Sequence, residues 1–311
     1  MSLGASLMGH LTITFTVVQW FERRRATALS MTSAGFALGG MAVPLLVLFM
    51  DAYGWRATAF ASGIVVLVVG LPLTQVLRHR PSDMGLAPDG EPYQEHLHSR
   101  SSMAAAASAS NDFTLGEALR APSFWWISLG HASSLFVVSA MGVHLVSHLE
   151  ESQGYTLGEA SRVVFLLTLL FLAGTVSGGM MGDRLNKRAL VVVCMIMHMA
   201  GLLLLSHATN VGMVVAFTVL HGLAWGWRGP QMAALRADYF GRSAFGKILG
   251  VSNVVILVGT ISGPLIAGIL YDRTGNYRIG FDILACIAAA GSIFFVLAKR
   301  PKLPKRILAR G

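Results

Sequence analysis

Charge is what this sequence has least of. Only 13% of its 311 residues are Asp, Glu, Lys or Arg, against about 25% in a soluble globular domain. So little polar surface cannot coat a globule in water, and with 54% hydrophobic residues and a mean hydropathy of +0.62 most of the chain must face lipid or itself. Cysteine is almost missing: Cys194 and Cys286 lie far apart inside apolar runs, which excludes a disulfide framework and a thiolate metal site. No Gly-rich loop precedes a Lys-Ser/Thr pair, so ATP is not the expected energy source. Neither a G-x-S-x-G elbow nor an H-E-x-x-H pair is present; no enzyme, cofactor or metal is expected. The opening MSLGASLMGHLTITF carries no basic residue ahead of its apolar stretch, so a cleavable leader is not expected there.

What is present is length in apolar runs. A spanning helix needs about 20 mostly apolar residues. Nine stretches qualify, near 2–20, 27–50, 57–77, 122–148, 159–182, 189–207, 211–234, 247–270 and 279–298. The expected class is an all-α, multi-pass membrane protein. Short connectors rich in Gly, Pro, Asp, Arg and Asn separate the runs, with one exception. Residues 78–121 open with RHRPSDMGLAPDG, pass through SSMAAAASASN and end in a short helix that Thr114 and Glu117 can cap. The chain therefore divides into a three-helix bundle (1–77), a linker (78–121), a six-helix bundle (122–298) and a basic tail (299–311).

The net charge of +9 would suit a nucleic-acid ligand if it lay along one face. Instead the bases gather in alternate connectors. Nineteen of the 24 Lys and Arg fall at Arg23–Arg25, in the linker, at Arg184–Arg188, at Arg236–Lys247 and in the tail. By the positive-inside rule that side is cytoplasmic. The linker and C-terminus are then inside, residue 1 outside, and the bilayer of a plasma or inner membrane is the expected partner, with no nucleic acid.

An internal repeat sets the architecture. WFERRRATALS from Trp20, a helix with Gly35, Gly39, Gly40 and Pro44, and DAYGWR at 51–56 form one copy. YFGRSAFGKILG from Tyr239, a helix with Gly259, Gly263, Pro264 and Gly268, and YDRTGNYR at 271–278 form the second. Both copies run the same way through the membrane. Two parallel halves on one linker are the plan of a large secondary-transporter fold. The repeat lies between the fourth and fifth of six helices in the second half, but between the first and second of three in the first half. The expectation is that three helices are missing ahead of residue 1, and that this polypeptide transports poorly alone.

At these residues the sequence resembles the major facilitator superfamily, over its fourth to twelfth helices. GGMMGDRLNKR (Gly179 to Arg188) resembles that family's Gly…Asp-Arg loop with trailing bases. WFERRRATA, GWR, RPSDMGLAPDG and YFGRSAFGKILG look like its oxalate/formate antiporter and monocarboxylate porter branch. The resemblance implies alternating access, small organic anions such as monocarboxylates as substrates, and an ion or counter-substrate gradient as the source of work. It also implies a gating latch at Asp183, Arg184 and Arg188. Where monocarboxylate porters place an acid and an arginine in the eighth family helix, this chain has Gly174 and Gly178. The lysine that oxalate carriers use in the eleventh has no counterpart beyond Lys247.

An ionisable group within a span costs about 2.5–3.5 kcal/mol on insertion scales, which makes it a functional candidate. Arg228 lies about 12 Å of helix before Arg236. His221, Trp225, Arg228 and Met232 share one face. Arg228 either forks a substrate carboxylate beside Trp225 or snorkels to the surface. His131, Gln19 and Asn253 are polar groups that line a cavity or bond to a neighbouring helix. His144 and His148, near the outer end beside Glu150 and Glu151, either couple protons or sit in interfacial water. The Gly/Pro helices (Gly35, Gly39, Pro44; Gly259, Gly263, Pro264) are read as packing and bending elements. A non-transporting receptor or scaffold on the same fold is the rival reading.

Overall fold

The computed structural model describes residues 10–41, 43–76, 78, 80–90 and 112–304. Ten α-helices run through them: α1 (His10–Trp20), α2 (Arg25–Met41), α3 (Val43–Val76), α4 (Leu115–Arg120), α5 (Pro122–Glu151), α6 (Leu157–Arg184), α7 (Lys187–Ser206), α8 (Val211–Phe240), α9 (Phe245–Thr274) and α10 (Arg278–Leu297). Most of the low-complexity linker, 91–111, lies outside the described residues, as does the side chain of Pro44.

Local chemistry starts and stops the helices. Thr114 and Glu117 form a reciprocal cap on α4, with the Thr114 amide donating to the Glu117 carboxylate at 2.8 Å. Thr156 and Glu159 repeat the device on α6. Asn186 and Asn210 accept the first free amides of α7 and α8. Gly241 and Gly275, at positive φ, end α8 and α9.

Six helices among the described residues are long and apolar enough to cross a membrane: Leu48–Gln75 within α3, and α5, α6, α7, α9 and α10. Nine were expected. Of the other three, α1 and α2 are described over 11 and 17 residues, each adjoining residues outside the description. α8 has 30 residues, ample length, but His221, Arg228, Gln231 and Arg236 interrupt its apolar character. The connector expected at 51–56 falls where α3 breaks: Gly54 (φ 78, ψ 161) takes a backbone conformation that L side chains rarely adopt and kinks the helix there.

α5 to α10 form one bundle around Phe136, Met141 and Leu145 of α5, Met195 and Leu202 of α7, Phe217 of α8 and Phe281 and Phe295 of α10. Missing side chains decide two of the crossings. A methyl group on Gly174 would stand 2.9 Å from the Leu223 carbonyl oxygen, and one on Gly178 would stand 2.5 Å from the Trp227 Cα. Gly174 and Gly178 are therefore where α6 and α8 touch backbone to backbone. On α9, Gly259 and Gly263 press against the backbone of Ala132 and Phe136 of α5. At Gly35 and Gly39 the expected close approach is absent: nothing described lies within 4 Å of either Cβ position. Both lie off the face of α2 that buries Ala26, Leu29, Ser30, Ala34 and Ala37. With that face α2 packs on α6 and α8, which joins the first half of the chain to the second. α3 packs little against the rest, and most of its side chains are exposed.

Candidate substrate cavity

The stripe predicted on α8 faces a cavity of about 630 Å³ between the bundle and α1–α2. α8 supplies Trp225, Arg228, Met232 and Arg236; α5 supplies His131 and Leu135; α6 supplies Thr168, Phe171 and Thr175; α9 supplies Leu249, Asn253 and Ile256. Thr14 of α1 and Ser33 of α2 close the remaining side. Two guanidiniums line the cavity, and no Asp or Glu is among its described lining residues.

The two arginines differ in what they touch. Arg236 is 1% exposed and fully engaged. Its Nε and Nη2 donate to the Ser252 hydroxyl at 3.1 and 2.8 Å, its Nη1 to the Met232 carbonyl at 2.9 Å, and its Nη2 also meets His131 Nδ1 at 3.2 Å. A guanidinium can only donate, so His131 Nδ1 accepts there and its proton sits on Nε2. The Ser252 hydroxyl, the Met232 carbonyl and an imidazole that accepts a hydrogen bond are all neutral partners. Arg228, 2% exposed, is not engaged at all: its Nε and Nη1 have no hydrogen-bond partner among the described residues. Removing a cation from water without a counter-charge costs several kcal/mol. This arrangement has a cost that an anion in the cavity would offset.

Sequence reading placed Arg236 in a connector, and the structure corrects that. α8 continues past residue 234 to Phe240 because no breaker intervenes before Gly241. The available signal was its register, four residues beyond Met232 and eight beyond Arg228.

His131, Trp225, Arg228 and Asn253 thus come together. His221 and Gln19 do not join them. His221 shares the face of Arg228 but lies about 10 Å further along the axis, where α7 closes the cavity off. There its Nδ1 meets His198 Nδ1 at 3.1 Å, with both rings buried. Gln19 lies at the end of the fold that carries residue 299, where its amide donates to the Arg242 carbonyl at 3.2 Å.

That same end ties the two halves together. The Asp183 carboxylate accepts the Ala26 and Thr27 amides at 2.9 and 3.0 Å and the Thr27 hydroxyl at 2.7 Å, capping α2 from the end of α6. Asp238 of α8 holds Arg25 of α2 at 2.6 Å and Lys187 of α7 at 2.9 Å. Glu22 pairs with Arg242 at 3.4 Å. Arg184 is exposed, and Arg188 reaches the Ala298 carbonyl at 3.5 Å instead of Asp183.

The family model described as "Major Facilitator Superfamily" matches residues 1–179 and 127–311, which together span the chain. The chain belongs to the Major Facilitator Superfamily. With its six apolar helices it is a multi-pass membrane protein of a transporter family. It is similar to the "MFS transporter asaE" of Aspergillus flavus, at 24% identity over 91% of this chain and 60% of that one. It is also similar to "Monocarboxylate transporter 13" of Bos taurus, at 25% identity over 88% of this chain and 60% of that one. Among solved structures, the transporter FucP in its outward conformation matches 92% of this chain and 71% of its own, with a TM-score of 0.66 and 17% identity, a likeness of fold. The chain spans about three-fifths of the length of the first curated relatives it matches.

Towards the opposite end of this superfamily member, His144 Nε2 meets the Pro264 carbonyl oxygen at 2.9 Å and its Nδ1 the Tyr277 hydroxyl at 3.4 Å. His148 is 2% exposed and packs edge-on against Tyr277 and Phe281. Both imidazoles turn into the protein, not into interfacial water, because α10 presents an aromatic face to α5. Pro264 thus serves His144 through its carbonyl. Burial raises the Tyr277 hydroxyl above its ordinary pKa, and Glu151 and Asp272 add to that shift.

Proposed function

We propose that this chain forms the larger part of a secondary active transporter that moves small organic anions by alternating access. The observation that carries the reading is the cavity with two buried guanidiniums, one of them unpartnered, and no lining carboxylate among the described residues. An anion entering that cavity gains a charge-assisted fork on Arg228 in a low-dielectric setting. A cation there would meet only repulsion. Asp183, by capping α2, is the proposed latch of the cytoplasmic side, and Asp238 with Arg25 and Lys187 supports it. Breaking those contacts would let α2 part from α6 and α8, opening the cavity at that end. Arg184 and Arg188 support the latch only by their place beside it. His144 and His148 remain a proposed proton-coupling pair.

We further propose that the described helices correspond to the fourth to twelfth of the family, with the linker and C-terminus cytoplasmic. The repeat and the exposed apolar surface of α3 favour that register. The test is binding by the purified 311-residue chain in nanodiscs, read by calorimetry with acetate, propionate and matched ammonium compounds. Saturable binding of the carboxylates that vanishes in Arg228→Met supports the reading. Binding of the cations, or none of the anions at millimolar concentration, refutes it.

A further inference from the structure

The cavity's two arginines invite the idea of a doubly charged substrate, and their hydrogen bonds argue against it. All three nitrogens of Arg236 already donate, to Ser252, Met232 and His131. Its charge contributes to the field, but it has no free fork for a second anionic group. Arg228 alone is uncommitted, 2% exposed with two nitrogens unpartnered. The cavity therefore offers one uncommitted guanidinium fork, a match for one anionic group.

Beside the arginines, His131, Asn253 and Thr14 are the polar side chains of the wall, and most of the rest of it is apolar. Phe171 and Trp225 lie with ring centroids 4.4 Å apart at 33°, and Leu135, Met232, Leu249 and Ile256 continue the surface. Of the lining hydroxyls, three donate to their own helices, while that of Thr14 has no partner among the described residues. Thr168 donates to the Val164 carbonyl, Thr175 to Phe171 and Ser33 to Leu29. Having donated inward, those three hydroxyls offer a ligand lone pairs but no O–H. A polyhydroxylated body would face the apolar side of this wall with several hydroxyls unpaired, at a cost for each one. A flat apolar body would instead stack on Trp225 and bury its surface. A cavity of about 630 Å³ also exceeds what a two-carbon anion fills.

We infer that this site takes a monoanion with a flat apolar body, an arylalkyl carboxylate in chemical class, with the carboxylate on Arg228 and the ring against Trp225 and Phe171. The inference rests on the anion-transport reading above and narrows it.

The test is calorimetry on the 311-residue chain in nanodiscs with five probes: 3-phenylpropionate, acetate, glutarate, glucose 6-phosphate and the neutral 3-phenyl-1-propanol. The expected result is that 3-phenylpropionate binds at least about tenfold more tightly than each of the other four. Trp225→Leu should weaken 3-phenylpropionate about tenfold more than it weakens acetate. Trp225→Phe, which keeps a ring in a packed site, should restore most of that loss. Tighter binding of glutarate or glucose 6-phosphate would overturn the class while leaving the anion reading standing. Equal binding of 3-phenylpropionate and 3-phenyl-1-propanol would overturn the role of the carboxylate. Failure of every anion, together with indifference to Arg228→Met, would overturn both this inference and the reading on which it rests.

Discussion

The Asp183 carboxylate holds Thr27 by both its amide and its hydroxyl, at 3.0 and 2.7 Å, across the seam between the two halves of the chain. One side chain at the end of α6 thereby closes the first turn of α2. Hydrogen bonds to a charged group contribute about 1.5–3 kcal/mol each way of counting. Asp183→Asn keeps the shape and removes the charge, and should lower the population of the closed seam roughly tenfold or more. Labelling of a Ser33→Cys thiol by an impermeant maleimide, in a Cys286→Ser background, reads this out. Cys194 is buried and should stay silent. An unchanged labelling rate would show that Asp183 caps a helix and latches nothing.

Arg228 should behave as a binding residue that destabilises its own protein. Arg228→Met removes a buried charge that has no partner among the described residues, which lifts a desolvation cost without breaking a hydrogen bond and should be neutral or stabilising. The variant should melt at the same or higher temperature in the absence of anion and lose the stabilisation that carboxylates confer. A large fall in melting temperature would mean that Arg228 has structural partners after all.

Arg236 should behave in the opposite way. Ser252 accepts two of its bonds and exchanges one more with Ser128 at 2.8 Å. Ser252→Ala leaves two guanidinium donors without their acceptor, at a cost of about 1–3 kcal/mol. Ser128→Ala, which leaves those bonds in place, should cost less. Thermal unfolding followed by circular dichroism in detergent separates the two.

Glycines that look alike in sequence should part company under mutation. Gly226→Ala would press a methyl group into the Thr175 amide and the Gly174 carbonyl carbon, and overpacking of this kind costs about 1–3 kcal/mol. At Gly39, with nothing described within 4 Å, alanine should be neutral or stabilising by up to about 1 kcal/mol through helix propensity. Yields of monodisperse protein and melting temperatures check both.

Vectorial uptake of a labelled arylalkyl carboxylate by the 311-residue chain in liposomes should be close to the level of empty liposomes. The described helices wall the cavity mainly from the second half, with only Thr14, Ser33 and Ala37 from the first. Robust uptake that Arg228→Met abolishes would show that these helices suffice for transport.

Much of this was legible in the chain itself. Apolar runs of spanning length, bases gathered in connectors and a parallel repeat are one-dimensional signals. They give the all-α membrane class and the family, because burial in lipid forces every backbone group into helices. Register along α8 placed Trp225 and Arg228 on one face, since 100° per residue is a local property. Depth along that face is not local. Only the packing of α7 decided that His221 meets His198 and stays out of the cavity, and only the continuation of α8 to Phe240 put Arg236 in. The difference between an engaged arginine and an unpartnered one depends on Ser252 and His131, residues from other helices. Which glycines carry a crossing likewise depends on which neighbour arrives. Sequence determined the helices, their polarity and the presence of a charged stripe; tertiary structure decided which charges are satisfied, because satisfaction is a relation between elements that the chain keeps far apart.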